Sequence, residues 1–143
     1  MNQFKAILFG GFETQSRIGD FGLLLLRLFT GLALSFAHGI GKVPPSEQFI
    51  QGVGDMGFPI PHLFAWCAAF AEFFGGMLLA IGLFTRPSAF LIVVTMGVAA
   101  FVVHAADPFQ RKEMALLFLF IALVFLFMGS GRYGIDNLIR KSK

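Results

Sequence analysis

One cysteine, Cys67, stands in a chain of 143 residues, so neither an internal disulfide nor a CxxC redox pair can form within it. The same scarcity excludes a structural zinc site or an iron–sulfur cluster held by several cysteines of this chain. No flavin, haem or dinucleotide fingerprint is present either, so no cofactor of its own is expected. Charge is equally sparse. Only 13% of the residues are Asp, Glu, Lys or Arg, too few to keep a soluble domain of this size dispersed. The net charge of +3 sits in loops and tails rather than along one stripe, which excludes a nucleic-acid surface and suits the charge bias of membrane loops.

What the chain has instead is apolar length. Hydrophobic residues make up 57% of it, with 20 phenylalanines beside one Trp and one Tyr. Four apolar spans stand out, at about 21–39, 63–84, 88–106 and 113–128. Backbone groups in lipid must pair within their own segment, so these spans are expected to be helices. Short connections then predict one membrane domain over 1–143, an all-α, antiparallel bundle of four transmembrane helices. Residues 1–20 form a cytoplasmic or interfacial segment, with Phe4, Ile7, Leu8 and Phe12 at helical spacing. The brief apolar run from Ala6 to Phe9 is broken by Gly10 and Gly11, so no cleaved signal peptide is expected. Residues 40–62, rich in Pro and Gly, form an outer loop in which Ser46 to Gly52 could make one amphipathic turn. Lys5, Arg17, Arg86, Arg132, Arg140, Lys141 and Lys143 fall on one side and Lys42, Arg111 and Lys112 on the other. That bias places both termini in the cytoplasm and Trp66 at the outer interface.

Inside the second span the one ionisable residue is Glu72, and a charge at that depth costs several kcal/mol unless paired or protonated. Arg27, Gly31, Ser35, His38 and Lys42 fall on one face of the first span at about 100° per residue. Glu72 shares its face with Ala65, Ala68, Ala69, Gly75 and Gly76, whose small side chains let helices approach closely, while Phe70 and Phe74 lie towards lipid. At about 1.5 Å per residue, Arg27 lies roughly 18 Å and Glu72 roughly 14 Å below the outer end, a mismatch an arginine can bridge. Arg27 is therefore the expected partner of Glu72. His38, Lys42, His104 and Glu113 cluster at the outer end, with Gly97 on the packing face of His104. Arg27, His38, Lys42, Glu72, His104 and Glu113 thus form a candidate polar track, with Gly31, Gly75, Gly76 and Gly97 as packing positions.

The plainer readings stand beside this one. Buried polar residues can simply fix helix register, Lys42 can snorkel to the headgroups, and His104 and Glu113 can be interfacial. Cys67 reads as a small apolar helix residue and His62 as loop surface. No HxxxH or ExxH spacing supports a metal site from His38, His104, Glu72 and Glu113, so none is expected.

Arg27, Gly31, His38-Gly39, Lys42, Phe58-Pro59-Ile60-Pro61, Glu72, Gly75-Gly76, Gly82-Leu83, Arg86, His104, Glu113, Gly129, Gly131-Arg132-Tyr133 and Asp136 together resemble the DoxX family pattern over nearly the whole chain. The resemblance implies a four-helix bacterial inner-membrane protein. Namesakes are linked to thiosulfate:quinone oxidoreductase, and other members to membrane oxidoreductase complexes and quinone detoxification. The expectation is a membrane subunit of a redox system with a quinone-like or small-ligand pocket in the outer half, served by a redox partner. A non-enzymatic assembly or scaffold protein and a small-solute transporter are the alternatives, and a homo-oligomer is compatible with each.

Overall fold

The computed structural model describes residues 8–142, and every regular element among them is helical. Helix α1 spans Arg17–Ala33 and starts where the Ser16 hydroxyl accepts the Gly19 N–H, with Asp20 in the first turn. It runs on through a π-helical stretch, Leu34–Gly39, and a 3-10 turn, Ile40–Lys42. The rod from Arg17 to Lys42 is 26 residues long, longer than the expected 21–39, because capping at Ser16 and the continued turns carry it past both ends. Of the expected N-terminal helix, Phe4 and Ile7 lie outside the described residues, Leu8 is helical and Phe12 is not.

The outer loop holds helix α2, Glu47–Asp55, capped by Ser46, whose hydroxyl accepts the Phe49 N–H at 3.2 Å. Helix α3, Pro61–Ile81, begins on a proline, whose fixed φ and missing N–H suit a first helical position. It ends at Gly82 in the left-handed region, φ 73°. There the Leu83 N–H reaches back to the Leu78 carbonyl and the Gly82 N–H to Leu79, which satisfies the last carbonyls. Helix α4, Thr85–Val98, passes into a second π-helical stretch, Ala99–Val103. Helix α5, Phe109–Met128, starts four residues before the expected 113 and so takes in Arg111 and Lys112. A short C-terminal helix α6, Ile135–Lys141, was not expected from the hydropathy pattern.

Three helical stretches, Arg17–Lys42, Pro61–Ile81 and Thr85–Val103, are long and apolar enough to cross a membrane by length and composition. Helix α5 matches them in length but carries Arg111, Lys112 and Glu113 in its first two turns. All four long helices contribute to one core made of Leu34, Leu79, Ala89, Ile92, Met96, Leu119, Ala122 and Phe125. Phe29, Phe70, Phe74, Phe90, Phe101, Phe120 and Phe127 are exposed, as suits a lipid-facing surface.

The α1–α3 seam fixes the position of the site. A methyl group on Gly31 would overlap the Gly76 carbonyl, and one on Gly76 would overlap the Ser35 hydroxyl. Gly39 lies equally close to the backbone of Phe73, and the Ser35 hydroxyl donates to the Phe73 carbonyl at 2.8 Å. Contacts that run from Gly31–Ala80 to Gly39–Phe73 make the two helices antiparallel. Gly75 and Gly97 have looser surroundings, with Ile92 and Leu119 at ordinary van der Waals distance.

Candidate functional site

The partner of Glu72 is Lys42, not Arg27. The Lys42 ammonium lies 2.6 Å from Oε1 and 2.7 Å from Oε2 of a carboxylate that is 2% exposed as a residue. The physical reason is the direction of the side chains. Every Cα–Cβ bond in a helix tilts towards the helix N-terminus. Lys42, near the end of the α1 rod, therefore reaches back into the protein, and Glu72 on antiparallel α3 tilts towards it. The same tilt carries Arg27 the opposite way from Glu72. Its Nη2 donates to the Tyr133 carbonyl at 3.2 Å, beside Gly82 and Gly134 at the far end of α3. Ten residues separate Gly82 from Glu72, about 15 Å along the axis. Lys42 consequently does not snorkel out: its side chain is 35% exposed, and its ammonium also lies 5.5 Å from the Phe49 ring centroid.

Two cavities meet at this ion pair. A polar one of about 200 Å³ is bounded by His38, Lys42, Glu72, His104 and Arg111, with Leu34, Met96, Ala99 and Phe118 between them. An apolar one of about 180 Å³ lies under α2, walled by Phe49, Val53, Phe58, Phe64, Cys67 and Val98 among others. Lys42, Glu72 and Ala99 belong to both walls. The two π-helical stretches flank the polar cavity: Leu34 and His38 come from one and Ala99 from the other, and His104 follows it directly. A π turn widens the helix locally and recurs at functional sites. Hydropathy carries no signal for it.

His38 faces Phe118 edge-on, with ring centroids 5.6 Å apart. The His104 ring is oriented by a residue that sequence reasoning missed. Its Nδ1 lies 2.8 Å from Oδ2 of Asp107, and Arg111 approaches the other carboxylate oxygen at 3.5 Å. That hydrogen bond holds the Asp107 carboxyl below its ordinary range, against desolvation and with help from Arg111 and Lys112. With Nδ1 engaged, Nε2 is the ring atom left for an occupant of the cavity. The clue in the sequence was the spacing of His104, Asp107 and Arg111 around the α4–α5 turn. Glu113, expected as a second acid of the track, is exposed and lines neither cavity; Arg111, two residues earlier, lines the polar one instead. Cys67 is exposed on α3.

At the opposite end the carboxylates are held by protein, while the buried Arg27 keeps Nε and Nη1 without a hydrogen-bond partner among the described residues. Asp136 is fully buried and accepts the backbone N–H groups of Phe84 at 2.8 Å and Thr85 at 2.9 Å, and so caps α4 from α6. Arg132 reaches Asp20 at 2.9 Å, and Glu13 receives Arg132, Arg140 and Lys141. The Lys141 hydrogen bond, ahead of the neighbouring positive charges, lowers the Glu13 carboxyl pKa. Among the described residues no three His, Cys, Asp or Glu side chains group so as to hold a metal ion.

Known proteins share this pattern. The DoxX family profile matches residues 22–105. CatD of Bacillus subtilis, named provisionally as an oxidoreductase, is 33% identical over 125 residues, 87% of this chain and 91% of CatD. The inner membrane protein YqjF of Escherichia coli is 28% identical over 134 residues, 87% of this chain and 97% of YqjF. An uncharacterized Haemophilus influenzae protein is 39% identical over 77 residues, 49% of this chain and 58% of that protein. No solved structure matches the chain.

Proposed function

The chain belongs to the DoxX family and is a multi-pass protein of the inner membrane, and on that premise we propose that it is the membrane subunit of a redox system, offering a pocket for a quinone-like small ligand. The observation that carries this reading is the Lys42–Glu72 pair, set deep in the chain but opening on a cavity that two histidines also line. The oxidoreductase name of CatD supports the redox setting. The size of the polar cavity, about 200 Å³ against the roughly 300–1,000 Å³ of drug-sized sites, suits one ring-sized group.

In this reading α5 is the fourth span, both termini are cytoplasmic by the distribution of Lys and Arg, and the pocket faces the outer half. Lys42 donates to a carbonyl oxygen of the ligand while Glu72 holds the ammonium in place. His104, fixed through Asp107, and His38 pass protons at the cavity wall. Electrons reach the ligand from a redox partner protein, and the quinone itself carries them onward. Register pinning is a weaker account of the pair, since Gly31, Gly39, Ser35 and Gly76 already fix α1 against α3.

The test is binding of a benzoquinone probe to purified protein in lipid nanodiscs, compared with Glu72→Gln. Binding that falls at least tenfold in the variant supports the proposal. Protein that neither retains nor binds a quinone, in a membrane whose quinone-linked activity is unchanged by Glu72→Gln, overturns it.

A further inference from the structure

We infer that the site is bipartite and takes a lipophilic amphiphile: its polar head sits in the cavity lined by His38, His104 and Arg111, and its apolar body lies in the cavity under α2. This rests on the reading of the polar cavity as a ligand site and adds to it where the rest of the ligand goes.

Three observations carry the inference. First, the two cavities share Lys42, Glu72 and Ala99 as a common wall, so an occupant of either one touches the same ion pair. Second, their chemistry divides sharply. One cavity brings two imidazoles, a guanidinium and the ion pair together. The other, apart from that pair, is walled by aromatic and aliphatic side chains with Cys67 and Thr95. Each alone is smaller than the roughly 300 Å³ at which organic-ligand sites begin, and joined they enter that range. Third, the apolar cavity is bounded by side chains that are themselves exposed on the flanks of α3 and α4. Phe64 is 37%, Val94 48% and Val103 50% exposed. On helices that are apolar enough to cross a membrane, that surface faces acyl chains. An amphiphile dissolved in the bilayer can enter sideways, and its head stops where the first fixed charges stand. A freely water-soluble ligand has no use for the α2 cavity.

The natural reporter is Cys67, the one thiol of the chain, which lines the apolar cavity and an adjoining open hollow with Trp66, Phe70 and Leu91, and not the polar cavity. Full-length protein in nanodiscs is titrated with two fully substituted probes, which have no free ring position for a thiol to add to: 2,3-dimethoxy-5,6-dimethyl-1,4-benzoquinone, and the same ring with a decyl tail in place of one methyl group. Binding is followed calorimetrically, and the alkylation rate of Cys67 by a membrane-permeant maleimide is followed by mass spectrometry. The expected result is that both probes bind, the tailed one at least tenfold tighter. Only the tailed probe slows alkylation, by fivefold or more. Val98→Trp, which fills the apolar cavity, should erase the advantage of the tail while the tailless probe still binds.

Equal affinities with Cys67 alkylated at an unchanged rate would overturn the bipartite site and leave the polar pocket standing. Cys67 already shielded without probe and indifferent to it would mean a bilayer acyl chain fills the cavity, which also overturns the inference. Failure of both probes to bind overturns the pocket reading itself, together with this one.

Discussion

Arg27 and Lys42 lie on the same α1 rod, about four turns apart, and both carry a cation into apolar protein. Their surroundings nevertheless differ in kind. Arg27 is 1% exposed and lies against the Tyr133 carbonyl, Gly82 and Gly134, near an Asp136 whose two carboxylate oxygens are spent on the backbone of Phe84 and Thr85. That end ties α1, the α3–α4 turn and α6 into one unit. Lys42 has a single carboxylate partner and borders two cavities. Among the described residues Arg27 has one hydrogen bond, from Nη2 to Tyr133, and its buried Nε and Nη1 have no hydrogen-bond partner, but it lines neither of the two cavities. Lys42 borders open volume on two sides, and that contrast is why the proposed ligand is placed at the Lys42 end.

The comparison can be broken most forcefully at Asp136. Asp136→Ala removes two backbone caps and the carboxylate nearest Arg27, and should cost about 3–5 kcal/mol, seen as loss of the monodisperse peak or a sharply lower Tm in detergent. A variant as stable as wild type would mean that the Arg27 end is not structural. Next comes the seam between the two ends. Gly76→Val places branched carbons where the Ser35 hydroxyl and the Gly31 carbonyl already sit, and should cost about 1–3 kcal/mol by the same measure.

A double-mutant cycle sharpens the comparison further. Lys42→Met and Glu72→Met should couple by about 0.5–3 kcal/mol, with the double variant folded yet unable to bind the quinone probe. Arg27→Met and Glu72→Met, about 15 Å apart along the axis, should add to within about 0.5 kcal/mol. Coupling of the second pair and not the first would reverse the assignment.

The smallest effect is expected at Asp107. Its carboxyl titrates below the ordinary range in the folded protein, because of the His104 hydrogen bond first and the neighbouring cations after it. Its contribution to stability is therefore present above the unfolded pKa of about 3.9 and fades as pH falls through the lower folded value. Asp107→Asn should lower Tm slightly at pH 7, and the difference should begin to shrink near about pH 4 and disappear only once the pH falls below the lowered folded pKa. A gap that widens in acid would contradict the sign.

Much of the fold was legible because lipid imposes its own period and length on a sequence. The apolar runs located the long helices to within a few residues; α3 was expected at 63–84 and instead runs from Pro61 to Ile81, because proline suits the first helical position and Gly82 turns left-handed. Gly31 and Gly76 were identified as close-packing positions from their spacing alone, and the structure puts backbone and the Ser35 hydroxyl where their side chains would be. The packing role of Gly39 was not read, because it depends on where α3 crosses. Helix α6 escaped too, since a short amphipathic turn gains its stability from docking rather than from its own composition.

Of the site, the residue types were readable and the pairing was not. Composition and periodicity showed that Glu72 needs a partner or a proton, that Arg27, His38 and Lys42 share one face of the first span, and that the chain is a membrane protein; the inner membrane came from the family resemblance. Only the tertiary structure decided which cation answers. Depth counted along the axis favours Arg27, but side chains lean towards the N-terminus of their helix, and on antiparallel helices that lean joins Lys42 to Glu72 and sends Arg27 away. The two π turns, the Asp107 contact to His104 and the wall shared by the two cavities belong to the same class of fact. Each depends on how the helices meet, and a one-dimensional hydropathy pattern holds no record of that.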